Sequence, residues 1–139
     1  MAKMTGDERE KFLAELHVGV IAIERRDRAP LAVPIWYGYE PGGEVHIWTE
    51  SGSVKEKLIR AAGRFTLTAQ VEEQPYRYVS VEGPVTAIDP ATPETVGPIA
   101  IRYLGEPEGK AFTAQNLTPE SLLIRMRPER WLTTDYSKE

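Results

Sequence analysis

Three β-branched runs, at residues 17–23, 31–39 and 45–49, follow one another with only short turns between them. The turn at residues 25–29 is polar, and the next contains Pro41-Gly42-Gly43, a strong hairpin signal. A parallel connection needs roughly a dozen residues or more, so these runs pair antiparallel. Two longer runs, 65–71 and 76–88, are linked by Glu72-Glu73-Gln74-Pro75, and shorter runs at 122–126 and 131–134 flank Arg127-Pro128-Glu129. The total is six or seven strands. An open sheet of that size leaves two edges exposed, and closing it into a barrel removes them. Pro34 sits inside the second run and donates no hydrogen bond. It therefore predicts an edge, a bulge, or a place where a ligand replaces the neighbouring strand.

Helices punctuate this pattern. Thr5-Gly6-Asp7-Glu8 is a capping box, and Phe12, Leu13 and Leu16 follow at helical spacing, which predicts a helix over 7–16. A second helix follows Ser53, with Val54, Leu58, Ile59 and Ala62 on one apolar face and Gly63 as its C-cap. A third starts at Thr92-Pro93-Glu94, with proline at the first helical position, and stops at Gly105-Glu106-Pro107. A short, weaker helix is expected near 109–116. No repeat or linker interrupts the chain, which predicts one domain over 1–139. The fold class is mostly β with peripheral helices.

Composition narrows the functional classes. The formal net charge is −4, which argues against generic nucleic-acid binding. The absence of cysteine removes disulfides, thiolate metal sites and cysteine nucleophiles, and is compatible with a reducing cytoplasm. No apolar run approaches the roughly 20 residues that span a bilayer. The first residues carry no apolar stretch, so no secretory signal is expected. His17 and His46 stand apart with no carboxylate cluster beside them, so no metal site is expected.

The segment richest in chemistry is Trp48-Thr49-Glu50-Ser51-Gly52-Ser53-Val54-Lys55-Glu56-Lys57. It leaves a strand, turns through hydroxyl-bearing residues and enters a helix that is basic in its first turns. Free amides and the positive end of the helix dipole make such a start an anion site. The same residues also read as an N-capped helix with solvated lysines, since Ser53-Val54-Lys55-Glu56 has capping-box form.

These features resemble the pyridoxamine-phosphate-oxidase-like flavin-binding split-barrel superfamily. The resemblance is carried by the strand pair 18–23 and 31–39, by the strand–turn–helix at 48–55, and by Tyr78-Val79-Ser80-Val81-Glu82-Gly83-Pro84-Val85. The closing Arg130-Trp131-Leu132-Thr133-Thr134-Asp135-Tyr136 adds to it. It implies an antiparallel six- or seven-stranded split β-barrel, forming a homodimer with cofactor sites at the interface. It further implies that Val33, Pro34, Ile35 and Trp36 line the cofactor ring, and that Thr49, Ser51, Ser53, Lys55 and Lys57 hold its phosphate. Val54 stands where flavin-mononucleotide oxidases of this group often carry arginine, and no substrate-binding Arg and His pattern follows Trp131. These departures point away from vitamin B6 oxidation, and a compact chain with Lys55 and Lys57 but no such tail is more similar to the branch that uses coenzyme F-420, a deazaflavin, for hydride transfer to small unsaturated molecules. Flavin mononucleotide is the alternative cofactor, and a non-catalytic carrier or sensor the alternative class. Haem, with His17 or His46 as ligand, is a weaker option.

In the reductase reading, Tyr37 and Tyr78 are candidate proton donors, and Trp36, Trp48 and Trp131 candidate pocket walls. Each has packing as its competing role. Tyr37, Tyr78 and Trp131 make up the expected substrate pocket. Arg60 and Arg64 are candidates to meet a polyanionic cofactor tail, with solvent exposure as the alternative. The helix ending at Leu104 either packs on the barrel or rims the pocket.

Overall fold

The computed structural model describes residues 2–138. Helix α1 (Gly6–Ala14) begins as its capping box dictates: Thr5 Oγ1 accepts the Glu8 amide at 3.2 Å, and Glu8 Oε1 accepts the Thr5 amide at 2.8 Å. It stops at Ala14, so Leu16 lies beyond it and is exposed. Phe12 and Leu13 are buried. Strands β1 (Gly19–Ile23) and β2 (Leu31–Ile35) form the first hairpin. The run expected as one strand over 31–39 is interrupted at Trp36: a two-residue β3 (Tyr37–Gly38) follows β2 and takes a different partner, β4 (Val45–Glu50).

Helix α2 (Val54–Ala62) has Ser53 as N-cap and ends at Gly63, whose φ of +73° suits glycine. Ile59 is buried and Leu58 and Ala62 pack against the core, but Val54 is 62% exposed. As the first helical residue, Val54 lies off the apolar stripe. Strands β5 (Arg64–Val71) and β6 (Arg77–Pro90) are the long antiparallel pair. Helices α3 (Pro93–Leu104) and α4 (Glu106–Asn116) meet at Gly105, where φ is +83°. Helix α4 is longer than expected and opens with Glu106 and Pro107. Strands β7 (Ser121–Met126) and β8 (Arg130–Asp135) complete the sheet.

The eight-stranded sheet runs β2-β1-β5-β6-β7-β4-β3, with β8 paired to β6. All pairings are antiparallel. The 14-residue β6 belongs to both halves: its first part pairs with β5 and β8, and its second part, from Val85 on, pairs with β7 with a register shift between Val85 and Ala87. At the bend, Gly83 passes so close to the neighbouring connection that a Cβ there would lie 1.7 Å from the Arg127 carbonyl oxygen. The inner faces of both halves enclose one core that includes Ile21, Tyr37, Ile47, Leu67, Val79 and Met126.

This topology defines a split barrel. The end strands β2 and β3 are consecutive in sequence, so the ring of strands is joined at Trp36 by the chain itself. Strand β3 covers only His46 and Ile47 of β4. Beyond them, Trp48, Thr49 and Glu50 have β7 on one side and no strand on the other. The free edges of β2 and β4 therefore face a gap. A smaller cluster of Val96, Ile99 and Leu123 seats α3 on the outside of this half, with Trp36, Trp48 and Tyr103 packed against it.

Candidate functional site

The gap opens into a cleft of about 560 Å³ lined by Ile35, Trp36, Trp48, Thr49, Glu50, Ser53, Lys55, Ile99, Phe112 and Asn116. Its two ends differ chemically. Ile35 and Trp36 from β2 and the seam, with Ile99 of α3 and Phe112 of α4, give an apolar and aromatic end. Thr49, Ser53 and Lys55 from β4 and the start of α2 give a polar end.

Hydrogen bonding decides what that polar end can offer. The Ser51 amide donates to the Glu120 carbonyl at 2.7 Å, Gly52 N–H to Glu56 Oε1 at 2.8 Å, and Ser53 N–H to the Glu50 carbonyl at 3.2 Å. The Glu56 and Lys57 amides donate to Ser53 Oγ and to the Ser53 carbonyl. Glu56 thus reaches back to Gly52 rather than to Ser53, a variation on the expected capping box. Its carboxyl is held below the usual carboxylate range by the Gly52 amide and, less strongly, by Arg60. Among the described residues, the amides of Val54 and Lys55 are left as the unpartnered donors of this helix start. Beside them lie Lys55 and the Thr49 Oγ1–Ser53 Oγ pair, 3.3 Å apart. Gly52 has φ of +84°, and open space where a Cβ would project.

Glu50, which sequence reasoning passed over, is fixed in the cleft wall. Its carboxylate accepts from Ser121 Oγ at 2.9 and 3.1 Å, Thr118 Oγ1 at 3.0 Å and Trp48 Nε1 at 3.1 Å. These bonds fasten β4 to the α4–β7 connection and orient the Trp48 indole. Trp48 meets Phe112 edge-on, with centroids 5.9 Å apart, and Trp36 lies between Phe112 at 5.2 Å and Tyr103 at 4.9 Å. Phe112 and Asn116 also escaped the sequence reading, because α4 carries little apolar periodicity and its role depends on where α3 places it. The α3 helix rims the cleft through Ile99 as well as packing on the barrel.

The other expected site residues are distributed as follows. Val33 points inward and packs against the core, while Pro34 lies on the exposed outer face of β2. Ser51 and Lys57 are exposed and outside the cleft lining. Tyr37 is fully buried in the core; its hydroxyl donates to the Leu13 carbonyl at 2.6 Å, and burial pushes the phenol well above its ordinary range. That environment removes Tyr37 as a proton donor to this cleft. Trp131 is also absent from the cleft lining, held between Arg9 of α1, whose guanidinium lies 4.7 Å from the ring centroid, and Tyr39. Tyr78 is paired across from Gln70 and Thr134, away from the cleft lining. Arg60 is tied to Glu56, and Arg64 donates to Glu24 at 2.7 Å, so both basic side chains have acidic partners of their own.

A larger open cleft, about 690 Å³, lies on the other side of Ile99, between the β3–β4 hairpin and α3. It contains His46, Arg125 and Arg102, with Glu40, Glu44 and Glu94 opposing them. Arg102 is already engaged, donating to the Ala14 carbonyl at 2.9 Å and to the Glu15 carbonyl, where it caps α1. His17 is stacked on Phe12, with Nε2 3.0 Å from the Phe12 carbonyl. The described residues contain no group of three or more His, Cys, Asp or Glu disposed to hold a metal ion.

The family model described as pyridoxamine 5′-phosphate oxidase matches residues 5–131. The chain belongs to that family. Solved structures of similar fold include an F420 reductase, 24% identical, with a TM-score of 0.71 over 88% of this chain and 94% of its own. A conserved hypothetical protein from Mycobacterium tuberculosis is 24% identical, with a TM-score of 0.78 over 97% of this chain and 87% of its own. A FAD-binding protein from Mesorhizobium loti is 18% identical, with a TM-score of 0.70 over 95% of each chain. At these identities the likeness establishes the split-barrel fold, and chemistry rests on the cleft. A search of curated proteins found no match. Among the described residues, no helix is long and apolar enough to cross a membrane.

Proposed function

We propose that the chain is a flavin-type oxidoreductase that binds coenzyme F-420 at the barrel seam and passes hydride to a small unsaturated molecule. One observation supports this reading: a single cleft is lined both by apolar and aromatic Ile35, Trp36 and Phe112 and by polar and basic Thr49, Ser53 and Lys55. Such a pairing suits a planar ring with a phosphate on its side chain. The residues present fit the group, since the unpartnered amides of Val54 and Lys55 at the helix start, next to the Lys55 side chain in the cleft lining, leave donors for a phosphate.

When bound, the deazaflavin supplies the hydride. The chain's own work is to hold and orient the cofactor and to restrict water. Lys55 acts as a point charge on the phosphate while Thr49 and Ser53 fill further acceptor sites. Trp36, braced by Tyr103, fixes the plane of the ring seat. With Tyr37 sealed in the core, solvent delivers the balancing proton.

Homodimerisation belongs to the same proposal. Across the outer face of the sheet, Pro34, Val20, Thr68, Ser80 and Leu132 form one row in register. Thr68 Oγ1 donates to Ser80 Oγ at 3.0 Å, which satisfies the polar members laterally, and Val20 and Leu132 are 38% and 60% exposed. An outward row of this kind is suited to burial against a second copy.

The test is a titration of the purified chain with coenzyme F-420 and flavin mononucleotide, read by ring fluorescence, with Lys55→Ala alongside. The proposal expects tighter binding of coenzyme F-420 and a loss of about tenfold or more in Lys55→Ala, the range of a charge-assisted contact. Selective binding of flavin mononucleotide would move the protein to the flavin branch. Binding of neither would remove the oxidoreductase reading.

A further inference from the structure

We propose that two copies of the chain dock outer face to outer face with their strands antiparallel, so that the arginine-rich tip of the β1–β2 hairpin in each copy lies on the Glu72-Glu73 turn of the other. This rests on the homodimer reading above and adds the orientation, which charge selects.

The face has no cover within the chain. Ala32 and Pro34 of β2, Val20 of β1 and Leu132 of β8 alternate outward and are exposed, so no helix lies across the row they flank. Its two ends differ in charge. The hairpin tip carries Arg25, Arg26 and Arg28 against Asp27, and the turn between β5 and β6 carries Glu72 and Glu73. Among the described residues, Arg26, Arg28, Glu72 and Glu73 are exposed and have no ion-pair partner. The other charges near the tip are matched in place: Arg64 with Glu24, Arg127 with Glu129, and Arg130 opposite Glu82 in the β6–β8 register. At the acidic end, Arg77 is drawn over the Phe12 ring, 5.2 Å from its centroid.

The positions of the two ends fix how a second copy fits. Strand β1 runs toward the tip and β5, antiparallel to it, runs away, so tip and turn lie at opposite ends of the strands. Arg25 is five residues beyond Val20, and Glu72 is four beyond Thr68. Both charged segments are therefore roughly 15 Å from the central row, on opposite sides of it. A two-fold axis lying in the interface along that row exchanges the two ends. It sets each basic tip over an acidic turn, twice in one closed, isologous contact. Laterally, tip and turn are two strands apart, about 10 Å, a gap that an arginine and a glutamate side chain close between them. An axis along the strands would instead set arginines on arginines and glutamates on glutamates. Exposed ion pairs contribute little affinity, but like charges facing each other exclude the wrong orientation, while the Val20–Leu132 row supplies the burial.

The experiment uses Arg26→Cys and Glu73→Cys, singly and combined, in the full chain, which has no cysteine of its own. Both positions are exposed and outside the strands, and circular dichroism checks that the variants fold. A short bismaleimide is added at micromolar protein, and covalent dimer is read on a denaturing gel. Within one chain the two positions lie at opposite ends of the sheet, beyond the reagent's span. The combined variant should give covalent dimer, each single variant about tenfold less or lower, and a mixture of the two singles should recover it. Arg26→Cys alone cross-linking as well as the combined variant would show that like ends meet, and would overturn the proposal. So would a parent that sediments as a dimer while the combined variant fails to cross-link; the homodimer reading would then stand. A monomeric parent removes that reading and the orientation with it. As a second measurement, Arg26→Glu with Arg28→Glu should weaken dimerisation by about fivefold or more, and adding Glu72→Lys with Glu73→Lys should restore it to within about twofold. Loss without rescue would likewise count against the antiparallel arrangement.

Discussion

Trp36 and Tyr103 stack nearly parallel, with ring centroids 4.9 Å apart and planes 8° apart. The Tyr103 hydroxyl donates to the His17 carbonyl at 2.6 Å and accepts the Tyr37 amide at 3.2 Å. One side chain of α3 therefore braces the residue at which the chain crosses between the half-sheets, and ties it to the entry of β1. Tyr103→Phe should keep the stack and lose about 1 kcal/mol of stability, whereas Tyr103→Ala should lose about 2–3 kcal/mol. Chemical denaturation measures both. Near-UV circular dichroism should change in the alanine variant and be preserved in phenylalanine; equal changes in both would show that the stack does not set the Trp36 environment.

Gly83 and Gly6 provide an internal contrast. A Cβ on Gly83 would lie 1.7 Å from a backbone oxygen, while one on Gly6 meets nothing within 4 Å. Gly83→Ala should cost about 3 kcal/mol or more, because β6 and the β7–β8 connection cannot both keep their paths. Gly6→Ala should be neutral or slightly stabilising. Similar unfolding midpoints for the two variants would contradict the close approach.

Stability should fall as pH drops from 7 toward 5.5. Burial lowers the pKa of both His17 and His46 from the ordinary 6.5. For His17, the Phe12 carbonyl and Glu15 oppose the shift while Arg102 and Arg77 reinforce it; for His46, Arg125 reinforces it while Glu44 and Glu40 oppose it. With the folded pKa below the unfolded one, the unfolded chain binds more protons in this window, so acid favours unfolding. Glu8, Glu24 and Glu56 have carboxyl pKa values lowered from 4.5, so their loss comes at lower pH. A Tm that is flat between pH 7 and 5.5, or a slope unaffected by combining His17→Gln with His46→Gln, would refute the linkage.

Leu132→Glu places a charge in the exposed row on the outer face of the sheet. The variant should remain folded by circular dichroism and sediment as a monomer at micromolar concentration, where the proposed interface predicts a dimer for the parent. A monomeric parent would remove the proposed interface, and a dimeric variant would place the interface elsewhere.

Much of the fold was legible because its signals are local. Thr5-Gly6-Asp7-Glu8, Thr92-Pro93 and Gly63 mark helix ends through backbone chemistry, and Pro41-Gly42-Gly43 marks a turn. The break at Trp36 was hidden because nothing in its own residue type demands it. It arises from a change of partner strand, which is a tertiary event. Val54 was misplaced for the reverse reason: apolar spacing cannot reveal that the first helical residue projects off the core-facing stripe. Of the residues proposed from the sequence, Ile35, Trp36, Thr49, Ser53 and Lys55 line the candidate cleft, while Val33, Pro34, Ser51 and Lys57 are outside its lining. Glu50 and Phe112 were missed because each acts through partners distant in sequence: Ser121 and Thr118 for the first, Trp36 and Trp48 for the second.

The join between β2 and β3 carries a consequence for how the chain tolerates change in length. Residues 31, 33, 35, 37 and 39 all turn toward the interior, so in-and-out alternation passes through Trp36 without a phase slip even though the partner strand changes. Inserting or deleting one residue here would invert the side chains on one flank, sending Tyr37 and Tyr39 outward or Val33 and Ile35 to the surface. The turns at 25–29 and 41–43 can lengthen without that penalty. The seam is therefore the part of the molecule where parity, more than residue identity, restricts which insertions and deletions descendants of this chain can carry.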